Sequence, residues 1–178
     1  YQEKKFDGAE KIFQSVIEQD DGFLNAYLML GKIYYYNRDF EKSLDVLEKV
    51  IERDSNHTGA LYWKSRVIVM LDQNITDEPI NLLKKVLETD SSHIPARLLL
   101  ALLYEKKSLY KEALHQYVTI IDEEENLINA RGNLAILYMR LGLTGRAKIE
   151  IGKAFKICEI AECNTEKVNH IKREIEQW

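Results

Sequence analysis

Apolar residues along the chain fall at helical spacing in short segments, and polar clusters break those segments at near-regular intervals. Tyr27, Leu30, Gly31 and Tyr34 stand at i, i+3, i+4 and i+7, which is one face of an α-helix. A polar turn follows at Asn37-Arg38-Asp39, whose short side chains are expected to cap the next helix. That helix carries Phe40, Ser43, Leu44, Leu47 and Val50 on its apolar side before Asp54-Ser55-Asn56 closes it. The opening then recurs: Ala26, Ala60, Ala96 and Ala130 lie 34, 36 and 34 residues apart. A period of this size predicts stacked helix pairs, each covering the apolar face of its neighbour, in place of one closed core.

The pattern sets expected boundaries. Residues 1–23, with Phe6, Ala9 and Phe13 in phase, read as the second helix of a truncated leading unit, as though the chain were cut from a longer one. Helix pairs are expected over 24–57, 58–93, 94–127 and 128–161. Residues 162–178 read as a terminal helix, capped at Asn164 or Thr165, whose stripe of Val168, Ile171, Ile175 and Trp178 covers the end of the stack. The second pair departs from the rest, with Lys64 at a position where Leu is expected and a longer turn over 72–78. Pro79 suits the first turn of the helix after it, where a missing N–H goes unused. Lys64 is expected to lay its aliphatic stem on the core and take its ammonium to water, a partner for its charge or a local shift in helix packing being the alternative.

The first-helix motif Tyr27-x-x-Leu30-Gly31-x-x-Tyr34, with Ser43-x-x-x-Leu47 in the second helix, resembles the tetratricopeptide repeat. Leu100-Ala101-x-x-Tyr104 with Ala113-x-x-x-Tyr117, and Leu134-Ala135-x-x-Tyr138 with Ala147-x-x-x-Ile151, repeat it. The resemblance implies an all-α, right-handed superhelical solenoid of antiparallel helix pairs. Its first helices would line a concave face that takes a peptide or a partner segment. On that face it places Asn25, Leu28, Lys32, Tyr35 and Tyr36, then Tyr62, Arg66, Val69 and Met70. The third pair adds Leu98, Leu102, Glu105 and Lys106, and the fourth Asn129, Gly132, Ile136, Met139 and Arg140. This lane is apolar and aromatic, interleaved with Lys32, Arg66, Lys106 and Arg140, so the expected partner offers apolar side chains and some negative charge. Inward packing of several of these residues is the competing expectation. Members of the family that bind acidic chaperone tails use Lys and Asn on successive first helices, whereas Leu28, Tyr62 and Leu98 occupy that lane here.

Composition narrows the function without naming it. The chain of 178 residues is 46% hydrophobic and 30% charged, ordinary for a soluble protein, and its net charge of −4 argues against general nucleic-acid binding. No apolar run reaches the length of a membrane span and no signal peptide is legible, which says little for a chain read as a fragment; the compartment is unknown, with the cytoplasm only weakly favoured. The acidic run Asp122-Glu123-Glu124-Glu125 reads as a solvated helix end. Cys158 and Cys163 are expected to be reduced, a disulfide being open to them only if the helix ends between them. His57 and His93 recur before successive pairs and read as loop residues at helix entries; no metal site and no cofactor is expected. No phosphate-binding loop, zinc motif or hydrolase motif appears, so the chain reads as a non-enzymatic interaction scaffold. Two alternatives stand beside it: a docking or regulatory region of a larger enzyme, and a self-assembly module using the ends of the array.

Overall fold

A computed structural model describes residues 6–71, 76–160 and 173. Among the described residues every regular element is helical: α1 (Asp7–Gln19), α2 (Leu24–Tyr36), α3 (Phe40–Arg53), α4 (Thr58–Leu71), α5 (Glu78–Thr89), α6 (Ile94–Lys106), α7 (Tyr110–Glu123), α8 (Ile128–Arg140) and α9 (Thr144–Ile160). The protein is an all-α repeat fold. Packing divides it into two compact units, Tyr1–Ala96 and Arg97–Trp178.

In the first unit, α2 and α3 meet over Gly31. A Cβ built there would stand 2.7 Å from the Leu47 side chain, so only glycine permits the approach. Leu47 and Val50 are fully buried beneath Tyr27, Leu28, Ala60 and Val67. In the second unit the same positions hold Ala101 and Ala135, and Tyr117 and Ile151 fill the space across from them, all of them buried. Small residues on one helix and large ones on its partner keep each pair tight.

The turns from α2 to α3, from α6 to α7 and from α8 to α9 are closed by backbone, not by a side chain. Asp39 makes no cap hydrogen bond, contrary to the expectation from its type. Instead Arg38 adopts φ 65° and the Asp39 N–H reaches back to the Tyr34 carbonyl at 2.9 Å. Ser108 (φ 59°) and Gly142 (φ 71°) repeat the geometry, with Leu109 N–H on Tyr104 and Leu143 N–H on Tyr138. These are left-handed helix endings that consume two orphan carbonyls each.

Between pairs, side chains do the work. Asp20, Asp54 and Asp90 each accept the backbone N–H two residues on. His57 Nδ1 accepts the Ala60 N–H at 3.2 Å, and His93 Nδ1 accepts that of Ala96 at 3.1 Å. The two histidines at helix entries are therefore caps built from imidazole.

Two further expectations need correction. The Lys64 ammonium does not go to water; it lies 2.9 Å from Glu48 and 3.4 Å from Glu78, tying α4 to the helices on either side. Burial alone would lower its pKa, but the hydrogen bond and charge of Glu48, with those of Glu78, outweigh burial and raise it above 10.5. Cys158 is buried at 1% exposure and disulfide-bonded, not reduced. Cys163 lies outside the described residues. The acidic run is solvent-exposed as expected, but Glu123 also pairs with Arg97 at 3.5 Å and the Glu125 carboxylate lies 3.9 Å from Arg131. The expected terminal helix over 162–178 lies outside the described residues apart from Arg173, which is helical and exposed.

Candidate functional site

In the first unit, α2 and α4 present aromatic residues to one another. Lys32, Tyr35 and Tyr36 end α2, one helical turn apart or adjacent, and Tyr62, Trp63 and Arg66 face them from α4. The Trp63 ring is the hub: its centroid lies 5.3 Å from Tyr35, 5.7 Å from Tyr36 and 5.8 Å from Tyr62, each pair edge to face. Phe40 packs edge-on to Tyr35, Phe6 stacks on Tyr36, and His93 leans on Tyr62.

Arg66 enters this cluster as a cation. Its guanidinium carbon lies 4.4 Å from the Trp63 centroid and 4.5 Å from that of Tyr35, and it donates to the Tyr35 hydroxyl at 3.1 Å. Expected as a charge interleaved in an open lane, it is half-buried between rings, where the flat guanidinium can stack. The Lys32 ammonium stands 5.6 Å from the Trp63 ring. Burial pushes the Tyr62 phenol above 10.0, with Arg66 opposing, so it stays neutral and available as a hydrogen-bond donor.

The other expected lane residues divide by exposure. In the first unit Asn25, Tyr36 and Met70 are exposed and Lys32, Tyr35, Tyr62, Arg66 and Val69 half-buried. Leu28 is buried in the core, its Cδ2 3.1 Å from where a Gly59 Cβ would sit, so it is inter-pair packing and not a groove residue. In the second unit Leu102, Lys106, Asn129 and Arg140 are exposed, Leu98, Ile136 and Met139 half-buried, and Gly132 buried. Arg140 pairs with Glu105 at 3.2 Å, and Glu105 also accepts from the Tyr117 hydroxyl at 2.5 Å. Its charge is thus matched within the unit, whereas Lys32 and Arg66 in the first unit lie against the Trp63 ring.

Two features escaped the sequence pattern. Trp63 lies outside the expected lane, although a tryptophan beside Tyr62 on the same helix was a visible signal. Arg131 occupies the position held by Tyr27 in the first pair, yet it is fully buried. Glu150 answers its charge at 2.5 Å, and the Glu125 carbonyl takes another of its donors. Among the described residues, no cluster of three or more His, Cys, Asp or Glu side chains could hold a metal ion. No helix among them is long and apolar enough to cross a membrane.

Residues 1–67 match the family model described as tetratricopeptide repeat. No curated protein matches the chain in sequence. Solved structures do match in fold. A structure titled "Crystal structure of MamA" superposes with a TM-score of 0.79 at 22% identity, over 90% of this chain and 93% of that one. MamA from Desulfovibrio magneticus RS-1 gives 0.77 at 17% identity, over 88% and 87%. YrrB, titled a TPR protein with an unusual peptide-binding site, gives 0.75 at 19% identity, over 96% and 84%. The first 67 residues are thus similar in sequence to the tetratricopeptide repeat, and the described helices share the all-α repeat fold of these structures.

Proposed function

We propose that this protein is a non-enzymatic interaction scaffold that holds a peptide or extended partner segment against the α2–α4 face of its first unit. The observation that supports it best is the Trp63 cluster. Exposed Tyr36 and Met70, half-buried Tyr62 and Trp63, and two cations make the aromatic-and-Arg composition that dominates binding energetics at protein interfaces. YrrB, of the same fold, is described as binding peptide, which favours the same class of ligand here. The helix pairs 24–57, 58–93, 94–127 and 128–161 are read as the repeats, with 1–23 as half of another and 162–178 as the terminal helix.

The test is a pull-down from lysate with the wild-type chain beside a Tyr36→Ala/Met70→Ala variant. Both substitutions sit at exposed positions and leave the core intact. A partner captured by the first and lost by the second supports the reading; a partner retained equally by both moves the interface elsewhere.

A further inference from the structure

Arginines elsewhere in the protein show what this fold does with a buried guanidinium. Arg131 meets Glu150 at 2.5 Å, Arg97 meets Glu123 at 3.5 Å, and partly exposed Arg53 meets Asp21 at 2.9 Å. Arg66 is treated differently. It is half-buried, but its neighbours are the faces of Tyr35, Tyr62 and Trp63 and the hydroxyl of Tyr35. Among the described residues no carboxylate pairs with Arg66 or with Lys32. A guanidinium carries five donors; the Tyr35 phenol takes one and the Tyr62 phenol also interacts with it, which leaves donors over for a ligand. The cluster therefore fixes a flat cation in orientation, removes part of its water, and supplies no counter-ion in a chain whose net charge is −4.

Resting on the binding face proposed above, we infer that Arg66, with Lys32 beside it, reads a carboxylate of the bound segment, and that Trp63 is the positioning residue that holds the guanidinium for it. Planar carboxylate suits the guanidinium edge, since two parallel N–H···O bonds satisfy both groups at once. Stacking on Trp63 and Tyr35 costs Arg66 its freedom before the ligand arrives, so less is lost on binding. An apolar or aromatic neighbour of the acid would lie on Tyr36, the exposed ring of the cluster, and on Met70, exposed on α4 four residues beyond Arg66. The carboxylate can come from an Asp or Glu side chain or from a chain terminus; its chemistry at Arg66 is the same.

The experiment screens the whole purified chain against immobilised random heptapeptides in two forms, one with amidated and one with free C-termini, and follows hits by Trp fluorescence and calorimetry. Expected hits are rich in Asp or Glu next to an apolar residue, or need the free terminus, which identifies the source. Arg66→Gln should weaken such hits about tenfold or more, as truncating one partner of a hydrogen-bonded charge pair does. Lys32→Gln, at a half-buried position whose ammonium stands over the Trp63 ring, should weaken them less while leaving the fold untouched, and it keeps the test sound if Arg66→Gln unfolds. Replacing the acid in a hit by its amide should match the Arg66→Gln loss, and the two changes together should add little more. Hits without acidic preference, or acidic hits indifferent to both substitutions, overturn the carboxylate assignment and leave the binding face standing. An absence of hits overturns both.

Discussion

The Ser43 hydroxyl donates to the Gly31 carbonyl at 2.7 Å, in a buried bond between the first and second helices of one pair. The bond forms where the two backbones come closest, because Gly31 has no Cβ and Leu47 lies against it. The motif Gly31 with Ser43 and Leu47 is thus one packing unit, and it explains why a small polar residue is tolerated in the core.

Gly31→Ala should therefore destabilise. Its Cβ would stand 2.7 Å from Leu47 Cγ, and overpacking of this kind costs about 1–3 kcal/mol. A Gly31→Ala/Leu47→Ala double variant should be better than the sum of the single losses, since the two sites share one space. Thermal melts of the three variants check this, and additive losses would place the strain elsewhere.

Arg38 and Ser108 carry the left-handed backbone that Gly142 adopts at the equivalent turn. A side chain there costs conformational energy that glycine avoids, partly offset by glycine's freedom in the unfolded chain. Arg38→Gly and Ser108→Gly should each stabilise by a few tenths to about 1 kcal/mol, and Gly142→Ala should cost about 1 kcal/mol. Urea unfolding midpoints with unchanged slopes would report these differences directly.

The helix pairs, their period and the buried small-to-large contacts were legible because they rest on spacing: Gly31, Ala101 and Ala135 lie where the pattern requires them. What the sequence hid are choices made across helices. Lys64 looked destined for solvent because Glu48 and Glu78 are 16 and 14 residues away and only folding brings them to it. Arg66 looked like a charge in an open lane because spacing gives its helix face and not the rings that close over it. Leu28 and Tyr36 have the same lane assignment, yet Leu28 is 9% exposed and Tyr36 56%. The packing of the next pair, not the position within a repeat, decides between them.

Alkaline pH should weaken the fold. Tyr117 is fully buried and donates to Glu105, and burial followed by that hydrogen bond raises its pKa far above 10.0. Below pH 10 both folded and unfolded chains keep the proton. Above it the unfolded chain releases the proton and the folded one cannot, so stability is lost as pH rises. Lys64 acts in the same direction: its raised pKa stabilises the fold below 10.5, and that contribution disappears as pH climbs through the folded value. Tyr117→Phe should cost about 1–2 kcal/mol at pH 8 through the lost hydrogen bond to Glu105. Its deficit relative to wild type should shrink between pH 10 and pH 11 as wild type pays for its buried phenol; a constant deficit would refute the role of Tyr117 ionisation.

Leu28 and Met70 separate packing from binding most cleanly. Both were placed in the same lane by spacing, but Leu28 sits in the core against Tyr27, Leu47 and Ala60 whereas Met70 is 53% exposed at the end of α4. Leu28→Ala should cost about 2–5 kcal/mol of stability by leaving a cavity, with affinity unchanged in the folded fraction. Met70→Ala should leave the melting temperature within about 2 °C while weakening the partner by about 1 kcal/mol or more, as an interface residue does. Trp63→Ala should do both, since its ring joins Tyr35, Tyr36 and Tyr62 and also holds Arg66. Trp63→Phe should restore most of the stability but less of the affinity, because the smaller ring packs the tyrosines yet binds a cation more weakly. Melting curves and titrations on the four variants decide it. If Trp63→Phe keeps full affinity, the ring serves packing alone and Arg66 is held by Tyr35.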